Sequence, residues 1–255
     1  MRRARWAIIA AQRRERVSRR IPLAFGWTLA LLAMVAFASL GKWQLGRMHE
    51  KQAMLDAVES TLAQRAAAPL DAALDPAHAR GYDWVRGEGY FVDAPAVLLD
   101  NQQREGRPGV RAYRLFQPDG EGLPLLVELG WLPLPADRTM PAIALPAGEQ
   151  LLEGLLMPRP SGGIVAAVAT TEPRGGVLTI GLDAANLPAL LRQPALATRV
   201  LKLDPGQPIG YARDLDILPN TLPPEKHLGY AVQWFGLAIA VLVTALILTF
   251  RTSRR

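Results

Sequence analysis

Two runs without a single charged residue, 21–41 and 228–250, constrain this chain more than any other feature. They hold 21 and 23 residues, and at about 1.5 Å rise per residue a helix of either length crosses a hydrocarbon layer of about 30 Å. Lipid offers backbone amides no hydrogen-bond partner, so such runs are expected as spanning helices. Setting them aside from 255 residues leaves enough chain for one extramembrane domain of ordinary size.

The arginines orient the spans. Residues 1–20 carry eight Arg and one Glu, and Arg251, Arg254 and Arg255 follow the second run. The tails thus hold +10 of a net +6, and everything between them sums to −4. Positive flanks stay in the cytoplasm, so both termini are expected inside a cytoplasmic (inner) membrane, with residues 42–226 on its periplasmic side. The sequence pI of about 10.0 is then a topology signal; the basic N-terminal stretch reads as a lipid-facing flank, and no nucleic-acid partner is expected. Ala36-Phe37-Ala38 has the A-x-A form of a cleavage site, and Ser18-Arg19-Arg20 resembles part of a twin-arginine signal. The apolar run nevertheless exceeds the usual signal core of about 7–15 residues, and Pro22 stands where that signal has an apolar residue. The first run is therefore expected to be retained as an anchor.

Between the spans the texture changes twice. Met48, Leu55 and Leu62 recur every seven residues with Val58 beside them, which predicts an amphipathic helix over about 45–65 continuing from the first span. Pro69 and Pro76 lie in the stretch that ends it. From Tyr82 onward come short apolar runs, WVRGEGYF, AVLLDN, VRAYRLFQP, LPLLVELGWLPLP, LLEGLLMP, GVLTIGLD and RVLKLD, separated by turn sequences such as EGRPG and PDGEG. Their even spacing predicts a compact sheet or partly closed barrel. One short helix is expected from Asp183 to Arg192, with Asp183 as its N-cap, although Pro188 interrupts it. The expected class is a membrane protein with two transmembrane α-helices flanking one β-rich α+β extramembrane domain. Its parts are a basic tail 1–20, a span 21–41, the domain 42–226, a span 227–250 and a basic tail 251–255. The Pro-rich stretch PNTLPPEKH leads stiffly into the second span.

Signatures of catalysis are missing. There is no H-E-x-x-H, G-x-S-x-G, Walker A loop or complete G-x-G-x-x-G, so no enzymatic role is expected. Gly87-Glu88-Gly89 lies inside an apparent strand, where glycine marks a bulge more readily than a phosphate cradle. Asp214 and Asp216 are two apart and could act as acid and base, but solvated loop carboxylates are the commoner case. Arg104, Arg107, Arg111 and Arg114 form a basic group near the EGRPG turn, read as a solvated loop in preference to an anion site. The chain has no cysteine, which removes disulfides, thiol redox chemistry and thiolate metal ligation. Nitrogen ligands could come only from His49, His78 and His227.

Polar and aromatic residues crowd the mouths of both spans. His227, Tyr230, Ala231 and Trp234 fall at i, i+3, i+4 and i+7 of a helix, with Gln233 to one side. The first span ends in LGKWQLGR, with Trp43 and Arg47 one turn apart. Both collars lie at the same depth and can meet. An aromatic belt with snorkelling cations accounts for Trp43, Lys42, Tyr230 and Lys226. It accounts less well for His227 and Gln233, because a buried imidazole or amide requires a partner. Two readings of the histidine remain, an interhelical hydrogen bond and axial ligation of a haem iron with Arg or Lys facing the propionates.

LGKWQLGR followed by Lys51, and PPEKHLGYAVQWF at the other end, resemble the two signature segments of the surfeit-locus protein 1 family, membrane assembly factors for haem–copper cytochrome c oxidase. The middle, RGYDWVRGEGYFVDAPAVLLDNQQREGRPGVRAY and LPLLVELGWLPLP, is similar to that family's more loosely, so the likeness covers the chain from Leu40 to about Gly236. It implies that His227 is the histidine that binds haem a. It places the neighbouring family residues at Tyr230, Ala231, Gln233, Trp234 and Phe235, and those of the first span at Trp43, Gln44 and Arg47. On this likeness His227 would be the axial ligand of transiently held haem a, Trp43, Tyr230 and Trp234 would line its faces, and Arg47 or Lys226 would neutralise a propionate. The implied partners are the oxidase core subunit and haem a synthase. Two positions depart from the family pattern: Glu128-Leu129-Gly130-Trp131 stands where Asn-Arg-Gly-Trp is expected, and Gly109-Val110 where Gly-Tyr is expected. Other classes remain open, namely a haem-independent scaffold in which His227 bonds to Gln44 or Arg47, and an anchored periplasmic enzyme or solute receptor with a pocket of carboxylates and arginines inside the sheet domain.

Overall fold

The computed structural model describes residues 2–253 except 121, 164–165 and 219–220, with side chains described from 23 to 251 apart from those gaps. The side chains of the N-terminal tail's arginines, and Arg254, Arg255, Pro219 and Asn220, lie outside what is described. The elements are α1 (Arg2–Gln64), β1 (Asp83–Phe91), β2 (Val97–Arg104), β3 (Arg107–Pro118), β4 (Leu125–Pro133), β5 (Glu149–Pro158), β6 (Thr170–Thr171), β7 (Val177–Thr179), α2 (Leu187–Leu190), β8 (Arg199–Leu203) and α3 (Pro224–Ser253). They divide into two compact units: residues 1–53 with 222–255, and residues 54–221.

The first unit is a pair of long helices. Each contains a segment long and apolar enough to cross a membrane, Leu23–Gln64 and Pro224–Arg251. Along α3, Pro224, His227 and Ala231 are buried and Trp234, Phe235, Ala238, Val241, Ala245 and Thr249 half-buried. This three-and-four spacing is a single apolar seam. On α1 the matching seam runs through Trp27, Ala30, Phe37, Gly41 and Gln44.

The second unit is a β-barrel with an extension. Strand order β1-β5-β8-β4-β3-β2-β7-β6 is closed by an added β1–β3 pairing, so β1, β5, β8, β4 and β3 form a ring. Alternation along the strands decides which side chains enter it. Val85, Val110, Ala112, Phe116, Leu125, Val127, Leu129, Leu152, Leu201 and Leu203 form the inner cluster. The opposite face of β3, β4 and β8, with Tyr113, Leu115, Leu126 and Val200, packs together with Leu99 of β2 under Leu182, Leu187 and Leu191 in a second cluster. Both faces of β4 are thus buried, which is why LLVELGW reads as an almost unbroken apolar run. Val58 of α1 joins Trp84 and Leu155 in a third cluster, with Leu62 packed against it.

The expected strands all form, and the expected partly closed barrel is present. Two details differ from expectation. The helix expected from Asp183 to Arg192 contracts to the single turn Leu187–Leu190. Pro188, having no amide hydrogen, is confined to the first turn, and Asp183 is not the cap because its carboxylate accepts from the Gly162 amide at 3.2 Å. The two-residue β6 is too short to leave a period in the sequence.

Candidate functional site

Four contacts set the register of the helix pair. Trp27 Nε1 donates to Thr249 Oγ1 at 3.0 Å, and the rings of Phe37 and Trp234 lie 5.7 Å apart, tilted by 31°. Gly41 faces the ring of Phe235, which would lie 2.8 Å from a Cβ placed there. His227 Nδ1 is 2.7 Å from Gln44 Oε1. As the numbers rise on α1 they fall on α3, so the helices are antiparallel. An apolar groove of about 770 Å³ opens between them near the Trp27–Thr249 contact, bordered by Ala30, Leu237 and Val241 among others.

His227 and Gln44 are the sequence-predicted pair that the fold brings together. The imidazole is 7% exposed because it occupies the α3 seam, one turn from the fully buried Ala231. Gln44 Oε1 can only accept, so Nδ1 is the donor in this contact.

The other predicted residues of the rim differ in exposure and in partners. Trp43 is 57% and Tyr230 40% exposed, each within a turn of Gln44 or His227 but off the seam. Gln233 and Lys226 are exposed. Trp234 belongs to the seam, where its ring is against that of Phe37. Arg47 pairs with Glu50 one turn on, at 2.6 Å.

The barrel domain holds a second polar constellation, part of which the sequence hid. Arg111 and Arg114 are not solvated loop residues: they lie on β3, where Arg111 is buried and Arg114 half-buried. Arg114 donates to the carbonyls of Ala94, at 2.7 Å, and Ile143. Arg104 pairs with Asp214 at 2.6 Å, and Arg107 is exposed. Cross-strand register places Tyr113 beside Glu128 and Glu128 beside Lys202. Arg111 donates to Glu128 Oε1, Tyr113 OH lies 3.1 Å from Oε2, and Lys202 Nζ is 3.5 Å from Oε1. Lys202 also donates to the Asp216 carbonyl at 2.8 Å. Burial pushes the Glu128 carboxyl upward, but Lys202 and Arg111 outweigh it and hold the group below its ordinary value. Burial dominates at Lys202 and lowers its ammonium, against the pull of Glu128. A lone Glu in LLVELGW and a lone Lys in RVLKL were the available signal, since a charge inside an apolar strand requires a partner across the sheet.

The model of the SURF1 family matches residues 31–239, which include both helix mouths and the whole barrel domain. A SURF1-like protein of Rickettsia felis is 25% identical over 227 residues, spanning 84% of this chain and 92% of that protein. A match of this extent, over a chain whose sequence places a β-barrel domain between two membrane-length helices, shows that the protein belongs to the SURF1 family.

Proposed function

We propose that the protein is an assembly factor for cytochrome c oxidase in the cytoplasmic membrane, with both termini cytoplasmic and the barrel domain periplasmic, and that it holds haem a transiently as cargo for the oxidase core subunit. Haem a synthase is the partner that would supply the cargo. The observation that carries this reading is the buried His227–Gln44 pair, 2.7 Å apart. An imidazole whose Nδ1–H is held by an oxygen acceptor presents Nε2 in a fixed orientation, the usual arrangement behind a metal-ligating histidine.

The donor set fits such a cargo. One neutral nitrogen ligand, without thiolates, suits an axial position on a haem iron and a hold weak enough to release it. Trp43 and Tyr230 offer exposed rings beside the pair, and Lys226 offers an exposed ammonium to a propionate. Arg47 would share its guanidinium with Glu50. Trp234, whose ring also packs on Phe37, and Gln233 would complete the surroundings of the haem. The apolar groove begins at Leu237, about 15 Å along α3 from His227 at 1.5 Å per residue, and could receive an isoprenoid tail. The role is that of a carrier and chaperone, with no covalent chemistry.

The test is the absorption spectrum of the full chain purified from cells that make haem a. The wild type is expected to carry a haem a band that His227→Ala abolishes and Gln44→Leu weakens. An identical band in His227→Ala protein of normal abundance would overturn ligation. The same hydrogen bond favours a second reading, in which the pair only clamps the helices and the protein is a haem-independent scaffold. On that reading His227→Ala lowers the amount of the protein while the oxidase that is assembled keeps its normal haem content.

A further inference from the structure

The charged row of Tyr113, Glu128 and Lys202 borders a cavity of about 250 Å³ on the outer face of the barrel. Arg111, Lys202 and Glu128 are all at least 95% buried by side chain, and Asp216 borders the same cavity. The carboxylate of Asp214, 3.7 Å from Lys202 and 39% exposed, is partly screened by water and shared with Arg104. Arg111 Nε is buried without a hydrogen-bond partner, which is unusual for so strong a donor. Leu99, Met157, Ile180 and Ile217 supply the apolar part of the wall.

We propose that this cavity binds a small organic anion, a short-chain carboxylate whose head group is held by Arg111 and Lys202 and whose body lies against Leu99, Met157, Ile180 and Ile217. An arginine matches a carboxylate in geometry as well as charge, and a carboxylate head group would give the buried Arg111 Nε the acceptor it lacks. At about 30 Å³ per water molecule, the volume is several times that of one water, enough for a chain of a few carbons. Tyr113 and Glu128 hold Arg111 and Lys202 in place and act as positioning residues.

The experiment titrates the full chain in lipid nanodiscs with hexanoate, with inorganic phosphate in parallel, and follows the thermal unfolding midpoint and calorimetric heat. Hexanoate is expected to raise the midpoint saturably and phosphate to have much less effect. Ile180→Trp, at a position 47% exposed, fills the cavity from its rim while keeping every charged group, and is expected to abolish the hexanoate shift measured against its own midpoint without ligand. Arg111→Met is expected to abolish it as well. The absence of a saturable hexanoate shift, an equal shift with phosphate, or a shift that survives in Ile180→Trp would each overturn the proposal and leave the cluster as an internal ion network only.

Discussion

His227 and Gln44 are bonded across the helix pair, Nδ1 to Oε1 at 2.7 Å, in a seam where almost every other contact is apolar. Interhelical hydrogen bonds in membranes contribute about 0.6 kcal/mol on average and at most about 1.7. A double-mutant cycle with Gln44→Ala and His227→Ala, read by unfolding in detergent, is expected to show a coupling energy of about 1 kcal/mol. A coupling indistinguishable from zero would show that each side chain is satisfied separately.

The helix pair was legible because its signals are long: two uncharged runs, and polar residues confined to corresponding mouths. The barrel strands were legible from short apolar runs and turn residues. What could not be read was which face each charge takes. Arg111 and Arg107 stand four apart beside the same turn, yet Arg107 is exposed and Arg111 buried. That difference depends on segments distant in sequence that cover one side of β3, including Lys202 and Ile217. The same limit applies at the rim. Helical spacing put His227, Tyr230, Ala231 and Trp234 on one stripe, but the seam follows 227, 231 and 234–235, and Tyr230 falls outside it. A stripe three residues wide contains several seams, and the partner helix selects one.

Gly41 is a point of closest approach in the helix pair. A methyl group there would lie 2.8 Å from the Phe235 ring, and overpacking of this kind costs about 1–3 kcal/mol. Gly41→Ala is expected to destabilise the helix pair in a detergent unfolding assay, and Phe235→Ala in the same chain is expected to recover most of the loss. Equal instability of the single and double variants would show that the ring is not the obstacle.

Gly130 is required for a different reason. At the register shift between Ala112 and Tyr113 of β3, Ala112 faces Gly130 and Tyr113 faces Glu128, so Leu129 is the extra residue on β4. Gly130 takes φ +127, and a Cβ would lie 2.8 Å from backbone atoms of Tyr211 and Ala212. Two hydrogen bonds at 2.7 Å flank it, Tyr211 N to Leu129 O and Trp131 N to Ala212 O. Gly130→Ala is expected to cost at least the roughly 1–3 kcal/mol typical of a strained backbone residue and to release the 211–212 segment. Faster amide exchange at Tyr211 and Trp131 is the measurement that checks it.

The pH dependence of the barrel domain should carry the signature of Glu128. Its carboxyl is held below the ordinary value of 4.5: burial opposes ionisation, but Lys202 and Arg111 outweigh it. The folded state therefore binds its proton less readily than the unfolded chain does. The stability that follows is fully present above about pH 4.5, and is lost as the pH falls from there through the lower folded value. Removing this carboxylate leaves Arg111 and Lys202 buried without their counter-charge, a loss of about 3–5 kcal/mol for a broken buried pair. Glu128→Gln should accordingly lower the unfolding midpoint strongly at about pH 6–7. The gap between wild type and variant should narrow as the pH is taken from about 5 toward about 3, because the wild-type carboxylate is then itself being protonated. Midpoints measured by circular dichroism across that range decide the matter: a gap independent of pH would mean that Glu128 acts through its shape and hydrogen bonds to Arg111 and Tyr113, with its charge contributing nothing.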